Sequence, residues 1–236
     1  MTGRVVVVTG AAGGIGTAIV SAFRELGDVV EEFDYVDGFD VTDADACHRA
    51  INDIVACHGR VDVLCNNAGI GASGDLVTAD AELWRRVFAV NVFGAAQMTA
   101  ATLPTMRSAR NGVVVNTCSV LATVGVAGRV VYSASKGALL AMTRAIAADE
   151  LPNGIRANAV SPATVDGPWI QRNARQSADP EAFLETMRRR QPSGRLIQAA
   201  AVARAITYLA DPTTALTGVE LPVDDGFTGV RTLPLP

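Results

Sequence analysis

The sequence predicts a single α/β domain, a parallel sheet covered on both faces by helices. Three observations lead there. Short Val-rich apolar segments recur along the chain. Helix-patterned stretches separate them. A glycine-rich turn, Thr9-Gly10-Ala11-Ala12-Gly13-Gly14-Ile15-Gly16, joins the first segment to the first helical pattern. Continuous apolar strands joined by helices are what a sheet buried on both sides requires, because a parallel crossover needs a dozen or more residues.

Taken in order, the strand candidates are Val5–Thr9, Val29–Phe33, Val61–Cys65, Gly112–Cys118, Arg156–Val160 and Thr217–Val223. Pro222 lacks an N–H, which assigns the last strand to an edge. Ile15, Ile19, Phe23 and Leu26 form one helical stripe, and Leu139, Thr143 and Ile146 another. With 236 residues and 49% hydrophobic composition, the chain is long enough for one large core over residues 1–236. No repeat or linker divides it.

One stretch breaks the alternation. Asp34 closes a strand and Asp40 follows only six residues later. Tyr35-Val36-Asp37-Gly38-Phe39 cannot supply a crossover helix. The expectation is a sheet of about six strands, with the crossover helix after the second strand absent and the third strand reduced or lost. Glu31 and Glu32 fit a strand with one poorly covered face.

Composition narrows the function classes. The net charge is −4 with no basic block in the first two-thirds of the chain, so no nucleic-acid partner is expected. Apolar runs such as Val5–Val8 fall far short of the ~18 residues of a membrane span. Strand-like sequence from Arg4 leaves no room for a signal peptide. Cys47, Cys57, Cys65 and Cys118 show no paired spacing, and His48 and His58 match no metal-site pattern. A reduced, cytoplasmic protein without a metal site is expected.

The glycine turn follows a strand and opens a helix, the context in which backbone N–H groups approach a pyrophosphate. Asp34 lies eighteen residues past Gly16, where an acid reaches the adenosine ribose hydroxyls. Glu31, Glu32, Asp34, Asp37 and Asp40 surround that position, and no Lys or Arg lies between Arg24 and Arg49. Coulomb repulsion would oppose a 2′-phosphate there, so NAD is the expected cofactor. Tyr132 and Lys136 are four residues apart, one above the other on a helix. A phenol ordinarily titrates near ~10, and an adjacent ammonium favours its ionised form, making it a usable acid or base.

Together with Asp40-Val41-Thr42-Asp43, Asn66-Asn67-Ala68-Gly69, Asn91 and Ser119, these motifs identify a resemblance. The chain resembles the single-domain branch of the short-chain dehydrogenases/reductases over essentially its whole length, with their Rossmann-like doubly wound sheet. The resemblance implies catalysis by Asn91, Ser119, Tyr132 and Lys136. Tyr132 would carry the proton, Lys136 would tune it and hold the nicotinamide ribose, and Ser119 would polarise the substrate oxygen. Asn91 would orient a water. It also implies that Gly10, Gly14, Ile15, Gly16, Asp34, Asp40, Val41, Asn67, Ala68, Gly69 and Val165 bind the cofactor, together with Tyr132 and Lys136. The family's usual Pro-Gly after the strand at 156–160 is Pro162-Ala163 here. Its later Asp-Gly-Gly is Asp224-Asp225-Gly226, and the threonine that helps hold the carboxamide is Gly167. Thr164 or the backbone of Val165 is the expected substitute.

Substrate selection should fall to Val120–Val131 and to a lid at 167–195, which carries six arginines. Arg129 with Arg190 looks like relatives that oxidise small anionic alcohols, such as 3-hydroxybutyrate and sugar-acid dehydrogenases. That resemblance implies that Arg129 and Arg190, with Arg172, clamp an acid group. The leading expectation is an NAD-dependent oxidoreductase of a secondary alcohol or ketone acting on a small molecule, in a tetramer or dimer. The alternatives are a 3-oxoacyl-carrier-protein-type reductase and a non-catalytic nucleotide sensor.

Overall fold

The computed structural model describes residues 3–230. Its main sheet contains β1 (Val5–Thr9), β2 (Val29–Phe33), β3 (Val63–Asn66), β4 (Gly112–Thr117), β5 (Ile155–Pro162) and β8 (Glu220–Val223). The strands run in the order β2-β1-β3-β4-β5-β8, with every pair parallel. Two residues each of β6 (Val165–Asp166) and β7 (Ile197–Gln198) form a separate parallel pair. The helices are α1 (Gly14–Glu25), α2 (Ala44–His58), α3 (Ala81–Phe88), α4 (Ala95–Ala109), α5 (Val130–Glu150), α6 (Pro168–Gln176), α7 (Pro180–Arg189) and α8 (Ala199–Ala210).

Side chains alternate across a strand, so the Val5–Val8 run feeds both faces of the sheet. Val6 and Val8 join Val63, Val113 and Val115 under Ile19 and Phe23 of α1 and Ile206 and Leu209 of α8. Val5 and Val7 join Leu64 and Val114 under Ile51 of α2 and Met98 and Met106 of α4. Each fully buried Val, Leu or Ile contributes about 1.5–3 kcal/mol, which makes these two layers the dominant stabilisation.

Several element ends differ from the sequence expectation. β3 begins at Val63 rather than Val61, because Asp62 uses its carboxylate to accept the Val5 N–H at 2.7 Å ahead of the ladder. Leu26 does not share the α1 stripe; it stands past the helix end, 62% exposed, while Val20 fills the buried face. β8 is confined to Glu220–Val223 and lies at the sheet edge, as Pro222 requires.

β2 forms the opposite edge. Between Phe33 and Ala44 the described chain holds a one-turn 3-10 helix at Tyr35–Asp37 and no strand. Asp34 caps that turn by accepting the Val36 N–H at 3.1 Å. The Phe33 and Phe39 rings close over the short segment at 4.6 Å.

α3 and α4 join through a π-helical turn at Ala89–Gly94 into one 29-residue run, Ala81–Ala109, whose most apolar 18-residue stretch has a mean hydropathy of 1.2. The short apolar segments of the sequence did not suggest it. By length and composition this run could cross a membrane, yet half of its most apolar stretch is buried inside the protein. Val87 packs with Ala72 and Val131, and Met98 and Met106 pack on the sheet.

Candidate active site

The strand order reverses around β1, between β2 on one side and β3 on the other, which opens a crevice at the strands' C-terminal ends. The glycine-rich turn and the Asn66-Asn67-Ala68-Gly69 segment meet there. Gly10 has φ +66°, and a Cβ on it would stand 2.8 Å from Ala68 Cα. On Gly16 a Cβ would lie 2.0 Å from the Gly10 carbonyl oxygen, so the turn closes only with glycine. Thr9 Oγ1 accepts the N–H groups of Asn67 and Ala68, each at 3.1 Å, and Asn67 Nδ2 donates to Gly10 O at 3.0 Å. Thr117 Oγ1 donates to Asn67 Oδ1 at 3.3 Å, which extends the tie to β4.

No side chain caps α1, and its first turn carries no acid. The first-turn N–H groups, including those of Gly14, Ile15 and Gly16, therefore present a field suited to phosphate oxygens. Asp34 accepts the Ala12 N–H at 2.9 Å, which fixes a carboxylate on the rim of the turn. A glycine cradle, an open helix N-terminus and an acid on its edge suit a dinucleotide.

The acidic surroundings need correction. Glu32 pairs with Arg24 at 2.5 Å and Glu31 with His58 at 2.8 Å. Chain distance hid both partners, which α1 and α2 bring to β2. Asp34 forms no ion pair among the described residues. Asp40 accepts the Thr42 N–H at 2.8 Å, and Val41 is buried with its Cγ2 2.6 Å from where a Gly94 Cβ would stand.

The proton-carrying groups gather from three elements. Tyr132 and Lys136 share one face of α5, with Lys136 Nζ 5.8 Å from the phenol ring centroid. Lys136 is 4% exposed and donates to Thr117 O at 2.7 Å, so its ammonium is held from the end of β4. Ser119 is buried and accepts the Leu121 N–H at 3.2 Å, leaving its own O–H available to donate. Asn91 sits in the π-helical turn. Its Oδ1 accepts the Ile70 N–H at 2.8 Å, while Nδ2 donates to Ile70 O at 2.9 Å and Ser135 Oγ at 3.0 Å. A Cβ on Gly69 would stand 3.3 Å from Asn91 Oδ1 and 3.5 Å from Lys136 Nζ, so Gly69 keeps that space open. A helix interrupted by a π turn is a recurrent way to aim a functional side chain.

Beside this group lies a cleft of about 330 Å³ lined by residues 71–73, Arg129, Trp169, Asn173 and Phe183. Arg129 donates to Ala72 O at 3.1 Å and to Ser73 Oγ at 2.8 Å. Burial first, and Arg190 second, hold its pKa below the ordinary guanidinium value. Arg190 is exposed and close enough to repel it. Arg172 does not belong to this constellation: it is exposed on α6, whereas its neighbour Asn173 lines the cleft. Trp169, Asn173 and Phe183 carry no sequence signal, because only the fold of the 167–195 segment brings them here. A larger groove of about 450 Å³ follows the outer face of α1 around the Arg24–Glu32 pair, away from these groups.

Gly167 is extended (φ 173°) and immediately precedes α6. Thr164, the expected substitute for the missing hydroxyl, accepts from Gln191 Nε2 at 3.2 Å, and Val165 pairs with Ile197. The lid is two helices, α6 and α7, closed at their base by the β6–β7 pair.

The family described as enoyl-(acyl carrier protein) reductase matches residues 10–228. A cis-4-hydroxycyclohexanecarboxylate dehydrogenase of Sinomonas cyclohexanicum is 37% identical over 96% of this chain and 97% of its own. Dehydrogenase/reductase SDR family member 6 of Danio rerio is 35% identical over 96% and 98%. The ligand-free aldohexose dehydrogenase of Thermoplasma acidophilum superposes with a TM-score of 0.91 at 31% identity, covering 99% of this chain and 97% of that one.

Proposed function

Since the chain belongs to the short-chain dehydrogenase/reductase family, and is an oxidoreductase of alcohols and ketones, we propose that its cofactor is NAD(H) and its substrate a small hydroxy acid. Asp34 supports the cofactor choice. It is bonded to the glycine turn, where a 2′-phosphate would meet its charge. The Arg129/Arg190 pair carries the substrate choice. Two guanidinium groups repel each other beside a cleft, and among the described residues neither forms an ion pair with an acid. A carboxylate would relieve that repulsion and match a planar fork. The 37%-identical relative named for a hydroxycyclohexanecarboxylate agrees with this class.

Gly10, Gly14, Ile15, Gly16, Asn67, Ala68 and Gly69 would hold the dinucleotide, with Asp34, Asp40 and Val41 at its adenosine end and Val165 at its nicotinamide end. When bound, the nicotinamide exchanges hydride with the substrate carbon. Ser119 donates its O–H to the substrate oxygen, a bond that strengthens as negative charge grows there. Tyr132 takes the alcohol proton during oxidation and returns it during reduction. Lys136, held from Thr117, stands with its Nζ 5.8 Å from the centre of the phenol ring. Asn91 fixes Gly69 and Ile70 along the approach to Lys136. We read residues 34–40 as standing where this chain has lost a crossover helix and an edge strand, a reading that β2's edge position supports. A reduced, cytoplasmic homo-oligomer completes it, supported by four unpaired cysteines.

The test is an absorbance assay at 340 nm with NAD and NADP against paired hydroxy acids and neutral alcohols of equal size. The proposal expects acids with NAD to be used most efficiently. Better turnover of the neutral alcohols would overturn the acid clamp.

A further inference from the structure

One residue on the inner face of α6 does not suit a packed position. Residues three and four apart share a helix face, so Asn173 lies with Ile170 and Ala174. Those two are 1% and 2% exposed. Asn173 is half-buried beside them, yet among the described residues its amide holds no hydrogen bond. By contrast, Gln171 on the same helix donates to Asp166 Oδ1 at 3.0 Å. A polar group drawn partly out of water is normally answered, and an unanswered one costs free energy without helping the lid fold. Folding therefore gives no reason for an amide at position 173. It lines the cleft, where a ligand can reach it.

The rest of the cleft says what that ligand carries. Arg129 uses only Nη1 for its bonds to Ala72 O and Ser73 Oγ, so Nη2 and Nε remain for a carboxylate. It also lies close enough to interact with Tyr132, which puts the cleft beside the phenol. Among the described residues no Asp or Glu lines the cleft, so an ammonium would find no counter-charge. An amide offers both a donor and an acceptor, and the uncharged group that uses both is a hydroxyl. We propose that Asn173 determines substrate specificity by hydrogen-bonding a second hydroxyl, on a dihydroxy or polyhydroxy acid whose carboxylate Arg129 holds. This deepens the hydroxy-acid reading and rests on it. An acid with only the reacting hydroxyl leaves the amide unanswered, and one with an amine as its second group meets the Arg129 charge.

The test compares acids that differ by one hydroxyl. The parent protein is assayed by NAD reduction with 3-hydroxybutanoate, 2,3-dihydroxybutanoate and 3,4-dihydroxybutanoate. The same series built on 4-hydroxypentanoate follows, with 2-pentanol as the neutral alcohol. The added hydroxyl thus falls on either side of the reacting carbon. One neutral hydrogen bond at a half-buried site predicts that the better dihydroxy acid is used about three- to tenfold more efficiently than its single-hydroxyl counterpart. Asn173→Leu, of similar volume and without a polar atom, should bring that ratio close to one. A parent that uses the single-hydroxyl acids as well as the dihydroxy acids overturns the proposal, and that result needs no variant to fold. A folded Asn173→Leu that keeps the parent's ratio, at full activity or through equal losses on both classes, overturns it too and leaves Asn173 a support of the lid. Faster use of 2-pentanol than of every acid, or no use of any acid, would instead overturn the hydroxy-acid reading and this inference with it.

Discussion

Replacing Asp34 with Asn tests how much of the cofactor choice one carboxylate decides. The side chain accepts two backbone N–H groups, Ala12 at 2.9 Å and Val36 at 3.1 Å. Asn can answer one of them and removes the charge. Of the neighbouring acids, Glu32 is already paired with Arg24, and Glu31 is tied by a hydrogen bond to His58 on α2. A unit charge about 5 Å from a 2′-phosphate costs about 1–3 kcal/mol at effective dielectric constants between bulk water and a protein surface. At ~1.4 kcal/mol per decade, the NADP-to-NAD ratio of kcat/KM should rise roughly five- to a hundredfold. Part of the rise should come from weaker NAD use, since the glycine turn loses one tie. The assay measures kcat/KM for both cofactors at a fixed alcohol concentration, at low and high salt. Screening should shrink the effect in high salt. Asp37→Asn is the control, because Asp37 is exposed and its side chain holds no bond to the turn. A ratio that moves less than twofold in Asp34→Asn refutes the electrostatic argument.

Three further outcomes are expected. Tyr132→Phe keeps the ring but removes the proton carrier, so kcat should fall about 10²-fold or more with little change in NADH affinity by fluorescence; activity within a few-fold of the parent would remove Tyr132 from the mechanism. Arg129→Ala should cost at least about tenfold in kcat/KM on a hydroxy acid and much less on a neutral alcohol of the same size, and equal losses on both would leave Arg129 a structural tie to Ala72 and Ser73. Glu150 is buried at the end of α5; the hydrogen bond from Arg107 lowers its pKa, burial opposes that, and Asn153 assists. A carboxyl depressed in the folded state contributes stability above its unfolded value of about 4.3 and loses it as pH falls through the lower folded value. The Tm of Glu150→Gln should therefore lie below the parent's at pH 7 and converge with it in acid, as read by thermal melts across pH; a constant gap would mean the pair contributes through packing alone.

The sequence was most legible where local chemistry dictates local structure. β1 and β2 begin and end where the apolar runs do, and the glycine turn sits between strand and helix as its spacing requires. Tyr132 and Lys136 stand on one helical face because four residues make about one turn. What the sequence hid was nonlocal. Nothing near Glu31 or Glu32 announces His58 or Arg24, since the pairing exists only after α1 and α2 dock. Arg172 and Arg190 are both exposed and neither lines the cleft, whereas Asn173, which drew no attention in the sequence, does. The π turn was likewise invisible, because Ala-Val-Asn-Val-Phe-Gly continues an ordinary apolar helix pattern.

That π turn bears on how a chain with only a 3-10 turn between Phe33 and Ala44, among the described residues, still gathers Ser119, Lys136 and Asn91. Ser119 follows β4, Lys136 is held by the last residue of β4, and Asn91 reaches Ile70 beyond β3. All of these depend on β3 and β4, which are interior strands with neighbours on both sides. The edge segment meets the π turn where Val41 packs beneath Gly94. A side chain at position 94 would collide with Val41 and press on the turn that aims Asn91. The segment after β2 and the turn that carries Asn91 therefore meet at a glycine, and Val41 ties that segment into the same packed layer as Leu64 and Val114.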